Sequence, residues 1–144
     1  MKLIFCLYLI TTSSITLQYI VAEFHALKTE KEELAFIKKH GGSNSVSVKA
    51  YVIAAKMKQA EHTINPIKKI QIFKRYKNQL NQLIKSNPTN VHARYMRLVI
   101  QEKAPGFFGY NNFIKKDKQY LQKYFSSDAK QNYLEQYIKK NTSL

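Results

Sequence analysis

Two Asn-Pro pairs, Asn65-Pro66 and Asn87-Pro88, frame the stretch that most limits how this chain can fold. Asparagine caps a helix by offering its side-chain oxygen to the exposed backbone amides. Proline fits the first turn of a helix but stops one that runs into it. Between the pairs, Ile67, Ile70, Phe73, Leu80 and Ile84 recur at steps of three, four and seven, which is one helical face. The spacing predicts a helix from Pro66 to about residue 86 with that face turned into a core.

The rest of the chain is punctuated in the same way. Thr29-Glu30-Lys31-Glu32 has the form of a capping box and opens a helix at about 30–40, with Leu34, Phe36 and Ile37 as its apolar stripe. Gly41-Gly42 then ends it, where a left-handed residue is expected. Ser43 or Asn44 can cap the next helix, with Val48, Tyr51, Val52 and Ala55 at helical spacing and an end near His62. Val91 to Lys103 makes another, closed by Ala104-Pro105-Gly106. A loop, Phe107 to Asn112, leads to a helix around 113–125. Ser126-Ser127-Asp128 is expected to cap a last helix carrying Tyr133, Leu134, Tyr137 and Ile138. No stretch alternates with a period of two, so a sheet is not expected. The prediction is an all-α domain of five to six antiparallel helices.

The N-terminal 22 residues read differently. After Lys2, the run from Leu3 to Ala22 carries no charge, and Glu23 ends it. A positive start, an apolar run and a small residue before a polar start are the parts of a secretory signal peptide, with cleavage after Ala22. The competing reading is an uncleaved membrane anchor, since such a length can cross a bilayer. Thr11, Thr12, Ser13, Ser14, Thr16 and Gln18 in mid-run weigh against the anchor. The division expected is therefore 1–22 signal peptide and 23–144 a single all-helical domain, exported to the periplasm or secreted. Cys6 is the one cysteine, so a chain starting at Glu23 has no disulfide, thiolate metal site or cysteine nucleophile.

From Tyr76 to Val99 the chain reads Tyr-x-x-x-Leu-x-x-Leu-Ile-x-x-Asn-Pro-x-Asn-x-x-x-Arg-Tyr-x-x-Leu-Val. This resembles the seam between two tetratricopeptide repeats. Pro88 would stop the incoming helix, Asn90 cap the outgoing one, and Tyr95 pack on Leu80 and Leu83. The small Gly and Ala positions of that family do not recur at its 34-residue period. The resemblance implies helical-hairpin architecture and binding of a protein or peptide partner.

Charge is the strongest compositional signal: 24 Lys and Arg against 9 Asp and Glu, a net +15. No acidic residue lies between Glu61 and Glu102, while Lys68, Lys69, Lys74, Arg75, Lys77, Lys85, Arg94 and Arg97 do. Lys68, Arg75, Asn78, Gln79, Gln82 and Lys85 share the side opposite the apolar stripe. Lys115, Lys116, Lys118 and Lys123 make a second basic run. Such faces attract anions, including phospholipid headgroups and lipopolysaccharide phosphates; they are also the ordinary solvated surface of a Lys-rich chain. Export disfavours nucleic acid as a partner, and so does the scarcity of arginine, three of the 24 basic residues, because lysine cannot read bases bidentately.

No arrangement for catalysis stands out. His25, His40, His62 and His92 are never three or four apart, the carboxylates are scattered, and no phosphate loop, serine elbow or His-Glu-x-x-His is present. No cofactor, metal or catalytic residue is expected. The Gly106-Phe107-Phe108-Gly109-Tyr110 loop is either an exposed aromatic anchor or a plug for the core. Arg94 and Arg97 share a face and either clamp an anion or pair with Glu102 or Asp117. The candidate binding surface is therefore Lys68, Arg75, Lys85, Arg94, Arg97, Phe107, Phe108 and Tyr110. The function expected is a non-enzymatic exported module for a protein or envelope partner, the alternative being a binder of anionic membrane or lipopolysaccharide through its Lys-rich helix faces.

Overall fold

In a computed structural model describing residues 16–144, Asn65 Oδ1 accepts from the amides of Ile67 and Lys68 at 3.0 and 3.1 Å. Asn90 Oδ1 accepts from Ala93 N at 2.9 Å. Thr29 and Glu32 exchange the two bonds of a capping box. These local devices set the element order. Residues 16–26 are helical (α1), followed by α2 (Glu30–His40), α3 (Val46–Lys58), a 3₁₀ turn at Gln59–His62, and α4 (Pro66–Ser86). Then come α5 (Val91–Lys103), a 3₁₀ turn at Gly106–Phe108, α6 (Ile114–Phe125) and α7 (Asn132–Asn141). There is no strand among the described residues, so the all-α prediction holds.

Helix α3 is the hub. Its residues Val48, Ala50, Tyr51, Val52, Ala54, Ala55 and Met57 are all buried, and α2, α4 and α5 pack around it. Alanines at 50, 54 and 55 let neighbouring backbones approach closely. Helix α5 is buried from His92 to Val99 and carries α6 on its far side. The main core joins Phe36, Tyr51, Leu80, Tyr95, Leu98, Leu121, Leu134 and Ile138. A smaller cluster, Met57, Phe73 and Tyr110, lies apart from it, with Ile100, Ala104 and Phe108 packed against it.

Several local expectations are corrected. Gly41 is right-handed at φ −62°, and its glycine is required by space: a Cβ would lie 2.6 Å from the Ile37 carbonyl. Gly109, at φ +58°, is the one residue with positive φ among those described. Ser45, not Ser43 or Asn44, caps α3. Ser126-Ser127-Asp128 does not cap α7, because the Ser127 hydroxyl donates back to the Tyr124 carbonyl at 2.8 Å. Helix α7 instead begins after Gln131, whose amide donates to the Tyr124 hydroxyl at 2.6 Å. Within the α4 stripe, Phe73, Leu80 and Ile84 are buried, but Ile67 is 67% exposed and Ile70 38%. At 21 residues against 13, α4 outruns α3, and its first turns, which meet the Gln59–His62 turn, leave Ile67 and Ile70 largely uncovered.

Of the expected signal segment, residues 1–15 lie outside the described residues. Residues 16–22 belong to α1, which continues without a break through Ala22 and Glu23. Ile20, Val21 and Phe24 are core residues, with Val21 completely buried. Glu23 holds Lys39 at 3.0 Å and His40 at 2.8 Å.

Candidate functional site

The overhang of α4 leaves a cleft of about 550 Å³ at one end of the bundle. Its floor is the C-terminal end of α3 and α5, with Ala54, Met57, Ala60, Val99, Ile100 and Ala104. Phe73 of α4 and the loop residues Pro105, Phe107 and Phe108 form an aromatic wall beside it. Phe108 stacks on Phe73 at 4.1 Å between ring centroids, and Phe107 leans on Phe108 at 4.4 Å. Phe107 is 74% exposed. Lys58, Lys69, Lys103 and Glu61 are the charged groups of the lining. Lys58 is held by the buried carboxylate of Glu33 at 2.9 Å, which also accepts from Gln59 and bonds His62. Lys69 and Lys103 make no ion pair among the described residues.

The aromatic wall is fixed from behind by a buried polar cluster. Asp117 of α6 is fully buried and faces two arginines of α5. Arg97 makes a two-pronged contact, Nε to Oδ2 at 2.6 Å and Nη2 to Oδ1 at 2.8 Å, and Arg94 Nη1 reaches Oδ1 at 3.0 Å. Arg94 Nε also donates to the Pro88 carbonyl at 2.7 Å, and its guanidinium lies over Tyr120. Arg97 lies over Phe113. Tyr110 donates to Asn81 Oδ1 at 2.8 Å, and the Phe113 amide donates to Gln101 Oε1 at 2.9 Å. The loop from Pro105 to Phe113 is thus tied to α4 and α5 at two points.

The structure distributes the eight sequence candidates among four places. Lys68, Arg75 and Lys85 are exposed on the outer face of α4, with Asn78, Gln79 and Gln82 between them. Arg94 and Arg97 are not on the surface: Asp117 draws both inward, and they are not available to clamp an external anion. Phe107 and Phe108 line the cleft, whereas Tyr110 is buried behind it. Burial and the nearby Asp117 charge hold the Tyr110 hydroxyl well above its ordinary pKa, against the pull of Arg97. Met57, Ala60, Lys69 and Lys103 were not singled out from the sequence. A basic residue two positions before Pro105 and its aromatic pair was the signal available for Lys103.

Two of the histidines, His25 and His92, serve the interior. Tyr95 donates to the Tyr137 carbonyl at 3.0 Å and accepts from His25 Nε2 at 2.9 Å, while His25 stacks on Tyr137. Burial, with the charges of Lys103, Lys140 and Lys58, pushes His25 down to about 4. Of these, Lys58 and Lys103 also line the cleft. Tyr51, kept protonated by burial, shares a hydrogen bond with His92 Nδ1 at 2.7 Å. Among the described residues, no group of three His, Cys, Asp or Glu is placed to hold a metal ion, and no helix is long and apolar enough to cross a membrane. No protein family, curated protein or solved structure matches the chain.

Proposed function

We propose that this chain is a non-enzymatic binding module that works at the cell envelope and takes its partner at the α3–α5 cleft. The observation that carries the reading is the cleft itself: an apolar floor, a basic mouth and an exposed aromatic flap, braced by the Asp117 cluster. A concave apolar site with few convergent polar groups is where proteins take ligands. The proposed route to the envelope is the uncharged run from Leu3 to Ala22. The short Asn87–Asn90 link and the packing of α4 on α5 support reading 76–99 as a tetratricopeptide-like hairpin.

A photocrosslinking residue in place of Phe107 tests this in native cells. Because that side chain is largely exposed, the fold should tolerate it. Adducts with one envelope component are expected from position 107 and not from exposed Lys123. Equal labelling from both positions would sink the reading.

A second reading has its own support. Lys68, Arg75 and Lys85 make no ion pair among the described residues, and Ile64, Ile67 and Phe107 stand exposed at the same end as the cleft. A basic helix face running from exposed apolar residues at one end suits an anionic bilayer or lipopolysaccharide surface. Flotation with vesicles should then rise with anionic lipid and fall with salt.

A further inference from the structure

We infer that the cleft holds a single-chain fatty carboxylate, its alkyl tail on the floor and its carboxylate at Lys69 and Lys103. This names the ligand class of the site proposed above and rests on that reading. Two observations select the chemistry. The first is what the floor lacks: Ala54, Met57, Ala60, Val99, Ile100, Phe73 and Phe108 supply no side-chain donor or acceptor. A peptide backbone laid there would lose water from its amides and carbonyls and find no side-chain partner in return. An alkyl chain carries no such groups. The space, about 550 Å³, falls within the roughly 300–1,000 Å³ of ligand sites and is more than one inserted side chain would fill.

The second observation is charge at the mouth. Three lysines face one carboxylate, Glu61, and the charge of Lys58 is already met by Glu33 at 2.9 Å. Lys69 of α4 and Lys103 of α5 are left without an ion pair among the described residues, and against Glu61 alone they leave the lining net positive. Flexible ammonium groups are point charges that follow a headgroup without imposing planar geometry. Phe107, hinged on the left-handed Gly109 and resting on Phe108, is placed to close over the tail.

The test is calorimetric titration of the folded protein with octanoate, decanoate and dodecanoate below their micelle concentrations, and with dodecanol. Affinity for the carboxylates should rise about fourfold per added methylene, as burial of each in an apolar site requires. The Lys69→Gln/Lys103→Gln variant should weaken dodecanoate roughly tenfold and leave dodecanol unchanged. Both positions are on the rim, so the variant should melt with the parent. Ala60→Leu, which intrudes on the floor, should weaken dodecanoate and dodecanol alike. Absence of saturable binding, affinity independent of chain length, or indifference to the lysine variant would each overturn the inference. If dodecanoate fails while crosslinking from position 107 still finds its component, the cleft remains the partner site and only the ligand class falls.

Discussion

Asp117 is a fully buried carboxylate whose charge must be met by its neighbours. Its carboxylate is fully buried between Arg94 and Arg97, with Gln101 Nε2 at 3.4 Å. Removing it strands two guanidinium groups in the interior, which costs far more than the pair contributes when intact. Asp117→Ala should lose about 3–5 kcal/mol in urea denaturation. It should also loosen the loop at Tyr110, visible as faster amide exchange there. A stability change under 1 kcal/mol would mean water already reaches the pair. The sequence held both partners in view, yet spacing alone could not choose between a surface clamp and a buried bridge. That choice depends on α6 lying against α5, which is a tertiary fact.

Titration adds a second prediction at this scale. Burial pushes His92 to about 4 from its ordinary 6.5, although Gln131 nearby favours the charged form. His25 is displaced to about 4 as well but is less buried, so its contribution is smaller. Between those values the unfolded chain binds more protons than the folded one. Stability should therefore be full above about pH 6.5 and fall as pH drops toward 4. For His92 the loss is on the order of 2–4 kcal/mol. Glu23 and Glu102, both held below their ordinary 4.5, begin to lose their support as pH falls through that value, at the acid end of the window. Urea midpoints at pH 7.5 and pH 4.5 measure the slope, and His92→Asn should flatten it.

Among the elements, α4 shows how far pattern reading reaches. Its N-cap, Asn65, was legible, as was Asn90 at the start of α5, because an N-cap is a matter of three or four consecutive residues. Its apolar face was legible as a face. How much of that face is covered was not, because coverage depends on the length of the neighbour. At 1.5 Å per residue α4 spans about 31 Å and α3 about 20 Å, and the excess is the wall of the cleft. The cleft itself joins residues from 54 to 108, and no local pattern announces it. Two substitutions separate covered from uncovered turns. Leu80→Ala should cost about 2–5 kcal/mol, since that side chain is completely buried. Ile67→Ala should stay within about 0.5 kcal/mol of the parent. Equal losses would show that α4 is packed along its whole length.

For the molecule as a whole, the decisive element is α1. Leu17, Ile20, Val21 and Phe24 close the core over Phe36 and Tyr51, with Phe24 5.9 Å from the first ring and 5.3 Å from the second. Cleavage after Ala22 would detach Ile20 and Val21 and leave Phe24 at a frayed end. Burial of an Ile or Val side chain is worth roughly 1.5–3 kcal/mol, against a total stability of about 5–15 kcal/mol for a domain. A chain starting at Glu23 should accordingly lose about 3–6 kcal/mol relative to one starting at Thr16. It should bind a hydrophobic dye through the uncovered face. Urea denaturation of the two chains decides it. If they unfold alike, α1 is dispensable packing and the remaining helices fold without it. If the shorter chain collapses, the fold requires α1, and intact mass of the native protein should then include the whole of α1.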